Sequence, residues 1–83
     1  MTNDIAAEVR RVIQKWIDLA EDRLTLDAAL IDLGFDSLGF VDLTLDFEET
    51  FKIEISDDEA AKIRTVGEAI GAVEKLVRAR GSA

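Results

Sequence analysis

In the stretch Gly34-Phe35-Asp36-Ser37-Leu38 a serine follows an aspartate where a helical pattern begins, and an amphipathic, almost purely acidic run continues to Phe51. The unpaired N–H groups and aligned peptide dipoles of a helix start favour negative charge, so the Ser37 hydroxyl is well placed to carry a phosphate ester. Serine and aspartate are also ordinary helix caps, and most serines so placed only cap. These five residues leave both readings open.

An activated nucleophile would need more. A serine requires an adjacent base and a group that orients the base, and the chain has no histidine and no cysteine. That removes an imidazole base, thiol chemistry, disulfides and the usual zinc sites. Lys52 is the sole lysine between residues 16 and 61. Paired acids such as Asp57-Asp58 or Glu48-Glu49 do acid–base work only where a cleft raises one pKa, and a chain of 83 residues has little volume for a cleft. Asp57, Asp58 and Glu59 are better explained as charges that stabilise a helix N-terminus. No Asp-x-Asp-x-Asp-Gly loop is present for calcium. No catalytic residue and no metal ligand is assigned.

The net charge is −8, unevenly spread: residues 21–59 hold 13 acids against the two bases Arg23 and Lys52, while the rest of the chain holds five acids and eight bases. The acidic middle reads either as a docking face for basic partners or as a solvated surface. It argues against nucleic acid binding. No apolar run approaches the roughly 20 residues of a membrane span. Met1-Thr2-Asn3-Asp4 lacks the basic and apolar regions of a signal peptide, so a soluble, cytoplasmic protein with no membrane insertion is expected.

The elements that must position Ser37 follow from periodicity. With no proline and few glycines the chain reads as one all-α domain over residues 1–83, a small four-helix bundle of three longer helices and one short one. Ile5, Val9, Val12, Ile13, Trp16 and Ile17 form the apolar stripe of a first helix over about residues 4–18. A long connection, residues 19–36, follows; its Leu24, Leu26, Leu30, Ile31 and Leu33 must pack against the helices, and connections of this length tend to be functional. A second helix is expected over residues 37–51, with Phe40, Leu43, Phe47 and Phe51 on one face and Asp42, Asp46, Glu48 and Glu49 mostly on the other. Ser56-Asp57-Asp58-Glu59 and Thr65-Val66-Gly67-Glu68 both have capping-box form and open helices over about 57–63 and 66–80. Gly67 and Gly71 lower the propensity of the last helix and suggest close packing or a small pocket beside them.

Leu33-Gly34-Phe35-Asp36-Ser37-Leu38 resembles the modification site of acyl carrier proteins. Phe47-Glu48-Glu49-Thr50-Phe51-Lys52-Ile53-Glu54-Ile55 is similar to that family's second-helix ending and the loop after it. Ser56 through Ile70 is similar to its third helix and the start of its fourth, and the resemblance extends over about residues 5–80. The tripeptide Asp36-Ser37-Leu38 is weak by itself; its spacing to the Glu-Glu-x-Phe and Thr-Val-Gly segments is the specific part.

The resemblance implies that a phosphopantetheinyl transferase attaches 4′-phosphopantetheine from coenzyme A to Ser37, beside Asp36 and Leu38. The thiol of that arm would hold acyl units as thioesters and shuttle them between enzymes of fatty-acid, polyketide or specialised lipid biosynthesis. A chain without cysteine would thereby gain a thiol, and would be a carrier rather than an enzyme. The acidic second helix would recognise basic patches on partner enzymes through Val41, Asp42, Leu45, Glu48 and Glu49. Leu38, Val41 and Leu45 recur at helical spacing on a face distinct from the phenylalanine core. Small interfaces of this kind suit a monomer that binds and releases many enzymes. The family's acyl pocket corresponds to Phe40, Thr44, Phe47, Ile55, Ala60, Ile63 and Ala69, residues that serve as core in any case.

Three positions depart from the family pattern. Ser56 stands where proline is usual, and caps well. Gly39 and Phe40 stand where fatty-acid carriers often have an acidic and a small or polar residue, which keeps a specialised carrier open beside a housekeeping one. An aminoacyl, D-alanyl or peptidyl carrier is a further alternative, although peptidyl carriers usually have Gly-Gly-x-Ser where this chain has Gly-Phe-Asp-Ser. An alternative of another class is an unmodified acidic module that binds a basic partner and has no use for Ser37.

Overall fold

A computed structural model describes residues 4–81; Met1, Thr2 and Asn3, read above for a leader, lie outside the described residues. The described residues form five α-helices: α1 (Ile5–Trp16), α2 (Leu30–Leu33), α3 (Ser37–Phe51), α4 (Asp57–Ala61) and α5 (Val66–Gly81). The three longer helices, the short α4 and the long first connection are those expected from the sequence. The connection also carries a single 3₁₀ turn at Glu21–Arg23 and the one-turn α2.

Every helix except α2, which starts after Ala29 without a side-chain cap, begins where a side chain satisfies an orphan amide. The Asp4 carboxylate accepts from the Ala7 N–H, and α1 ends one residue short of Ile17, where the backbone turns extended. In α4, Ser56 and Glu59 form a reciprocal capping box. Thr65 Oγ1 accepts from the Glu68 N–H while the Glu68 carboxylate accepts from the N–H of Arg64 and Thr65, which repeats the device at the start of α5. At the other end of α3 the chain leaves through Lys52 in the left-handed region. The Arg80 guanidinium, from the last turn of α5, donates to the Phe51 carbonyl at 2.6 Å and so satisfies an orphan acceptor there.

α1 packs on α5 and on α3, and α3 closes the layer against α5. Val9, Val12 and Ile13 of α1 meet Leu43, Phe47 and Phe51 of α3 and Val66, Ala69, Ile70 and Val73 of α5 in a single buried core. The Phe47 and Phe51 rings pack at 6.3 Å with a 50° tilt. Trp16, expected on the core stripe of α1, is instead 44% exposed, and its indole N–H donates to Asp46.

The long connection is tied down on both sides. From α1, Arg10 donates to the Leu24 carbonyl and Gln14 to the Leu19 carbonyl. From the α4–α5 link, the carbonyl of Arg64 accepts from the Leu30 N–H, and the N–H groups of Val66 and Gly67 donate to Ala28 and Leu26. Of its apolar residues, Leu24, Leu30 and Phe35 are buried and Leu33 packs against the core, whereas Leu26 and Ile31, expected to pack as well, are exposed. Gly67 is closely packed, since a Cβ there would lie 2.9 Å from the Leu26 carbonyl oxygen. Gly71 has open space around it and lies on the lining of a small pocket of about 300 Å³ with Ile63 and Ala72.

Candidate functional site

Ser37 is the first residue of α3, and its position depends on two local devices. Gly34 ends α2 with φ +118°, a backbone conformation that L side chains rarely adopt, and reverses the chain toward α3. Asp36 is then the N-cap: its Oδ1 accepts from the Gly39 N–H at 2.8 Å and its carbonyl from the Phe40 N–H at 2.8 Å. Because Asp36 takes the cap, Ser37 is not needed for it. The serine is exposed, and its hydroxyl makes no hydrogen bond with another described residue.

Beside the serine lies an open groove of about 490 Å³ between the connection, α3 and α4. Leu30, Phe35, Phe40, Ala60 and Ile63 give it an apolar wall, and Asp36, Ser37 and Arg64 are also on its lining. Of the pocket residues read from the sequence, Phe40, Ala60 and Ile63 are brought together here. Phe47 and Ala69 are fully buried in the core and do not reach the groove. Thr44 uses its hydroxyl on the carbonyl of Val41, and half-buried Ile55 packs against the core. Leu30, Ile31, Phe35 and Arg64 join the lining without having been singled out for it. For Leu30, Ile31 and Phe35 the only sequence signal is the unusual apolarity of residues 19–36; Arg64 has none.

The outward face of α3 carries the expected strip: Leu38, Val41 and Leu45 are 77%, 52% and 54% exposed. Asp42 and Glu49 are exposed on the same helix. The other two acids of α3 differ from the expected outward face. Glu48 is half-buried, and its Oε2 accepts from the Ile55 N–H at 2.7 Å, which pins the α3–α4 loop. Asp46 turns toward α1, with a side chain 11% exposed, and accepts from Lys15, Trp16 and Thr50. Burial pushes the Asp46 carboxyl upward, but hydrogen bonds from Lys15, Thr50 and Trp16, with the charge of Lys15, outweigh it and hold the pKa below the ordinary value.

The fold and the site together define a small helical carrier domain. Residues 7–73 match the family model described as the phosphopantetheine attachment site. The chain is 41% identical over 75 residues to the acyl carrier protein of Akkermansia muciniphila, an alignment covering 89% of this chain and 94% of that protein. Among solved structures it is similar to an acyl carrier protein from Thermotoga maritima, with a TM-score of 0.67, 30% sequence identity, and coverage of 88% of this chain and 94% of that one. The chain belongs to the acyl carrier protein family and, with it, to the proteins that bear 4′-phosphopantetheine. Such proteins carry acyl groups and are not themselves catalysts. The residues around the start of α3 fit that group: the amides of the first turn favour a phosphate, and the apolar groove alongside suits a hydrocarbon cargo. Among the described residues no helix is long and apolar enough to cross a membrane.

Proposed function

We propose that Ser37 is the residue that bears 4′-phosphopantetheine, installed by a phosphopantetheinyl transferase. The observation that carries this reading is the uncommitted, exposed Ser37 hydroxyl at the first position of a 15-residue helix whose cap is supplied by its neighbour. The prosthetic group supplies the thiol that holds an acyl unit as a thioester. The protein's own contribution is to fix where the arm begins and what surrounds it. Asp36 holds the first turn in place, and the amides of Ser37 and Leu38, which have no acceptor within the helix, stabilise the phosphodiester charge. Phe40, Ala60 and Ile63, with Leu30 and Phe35, shelter the proximal part of the cargo from water.

Partner enzymes, in this reading, dock on the exposed strip of Leu38, Val41 and Leu45, framed by Asp42 and Glu49. The apolar residues supply the contact and the acids steer basic patches by long-range attraction. Glu48 contributes to the same field while holding the loop. The protein acts as a monomer in the cytoplasm. The test is intact mass after incubation with coenzyme A and a broad-specificity phosphopantetheinyl transferase. Wild-type protein should gain one phosphopantetheine and Ser37→Ala none; equal gain in both, or gain in neither from unmodified protein, would refute the assignment.

A further inference from the structure

Among the described residues Arg64 is the sole cation on the lining of the Ser37 groove. Its backbone is fixed on both sides. The carbonyl accepts from the Leu30 N–H at 2.9 Å, and the N–H donates to Glu68 at 2.8 Å. Its guanidinium forms no hydrogen bond or ion pair with another described residue. The groove's other charged group, Asp36, has one carboxylate oxygen committed to the Gly39 amide. An apolar groove with one anchored, unpaired guanidinium has the makeup of a site that takes a hydrocarbon and fixes its polar end. A planar guanidinium matches the paired oxygens of a phosphate or carboxylate.

We propose that Arg64 binds an anionic oxygen group of whatever Ser37 carries, and so sets which cargo the groove retains. The proposal rests on Ser37 as the attachment point. Two parts of the loaded protein offer that chemistry: the phosphodiester itself, and a carboxylate at the far end of the acyl unit.

The experiment compares wild type with Arg64→Met in four forms, each verified by intact mass: unmodified, holo, butyryl-loaded and succinyl-loaded. The readouts are Tm relative to the unmodified form and the ³¹P resonance of the phosphodiester. If the phosphodiester is the bound anion, all three loaded forms of the variant lose about 4 °C of the wild-type stabilisation, the size expected of one exposed charge pair in a domain this small. The ³¹P resonance also moves. If a cargo carboxylate is bound, the loss is confined to the succinyl form and the ³¹P resonance is unchanged. Identical shifts for wild type and variant in every form overturn the role of Arg64 while leaving Ser37 untouched. Failure of Ser37 to load at all brings down the attachment reading and this proposal with it.

Discussion

Glu48 joins two functions that separate substitutions can resolve. Its carboxylate accepts the Ile55 amide at 2.7 Å from a half-buried position. A hydrogen bond to a charged group contributes about 1.5–3 kcal/mol. Partial exposure places this one at the low end, and alanine recovers a few tenths through helix propensity. Glu48→Ala should therefore cost about 1 kcal/mol, lowering Tm by about 4–8 °C in a domain of this size. Glu48→Gln keeps an acceptor oxygen toward Ile55 but removes the charge, so it should lose about half as much. Glu49→Gln alters an exposed carboxylate with no bond to the described residues and should stay within about 0.5 kcal/mol of wild type. Circular-dichroism melts give the stabilities, and stopped-flow rates of modification by the transferase at low and high salt give the docking contribution. Both glutamines should slow association at low salt, with the difference shrinking as salt screens it. A Glu48→Ala protein that melts with wild type would refute the loop-pinning role of this carboxylate.

The same substitution in one helix should act with opposite signs. Gly71→Ala enters open space and should stabilise by about 0.8–1 kcal/mol. Gly67→Ala places a methyl 2.9 Å from the Leu26 carbonyl oxygen and should destabilise by about 1–3 kcal/mol; chemical denaturation measures both. Phe47→Ala empties a fully buried site and should cost about 3–5 kcal/mol in the same assay, and no loss would mean that α3 is rotated. Asp46 has a folded pKa depressed below its ordinary 3.8, so its contribution is present above that value and lost as pH falls through the folded pKa. Wild type should exceed Asp46→Asn in stability at neutral pH, and the gap should close below pH 3.8; a gap that persists unchanged in acid would contradict the Lys15–Trp16–Asp46 link.

What was legible in the sequence was whatever neighbours in sequence decide. The apolar stripes of α1, α3 and α5, the cap at Asp36 and the two capping boxes depend on residues within a turn or two, and all are present except that Trp16 leaves the α1 stripe for the surface. What escaped depends on residues far apart. α2 is one turn held by Arg64 and the core, so local propensity in the connection gives no sign of it. Asp46 reads as one more outward acid until Lys15 and Trp16 arrive from α1, about thirty residues earlier in the chain. The groove behaves likewise. Phe40, Ala60 and Ile63 were named for a pocket, but Phe47 and Ala69 are fully buried in the core, and the place beside Phe40 is filled by Leu30, Phe35 and Arg64 from the connection and the α4–α5 link.

The central claim is that one hydroxyl, that of Ser37, bears the arm. The most direct measurement is proteolysis of the loaded protein followed by fragmentation of the modified peptide in the mass spectrometer. The account predicts that the peptide spanning residues 24–52 carries a single phosphopantetheine, and that fragment masses place it on Ser37 rather than on Thr25, Thr44 or Thr50. A modification mapped to any other residue would contradict it.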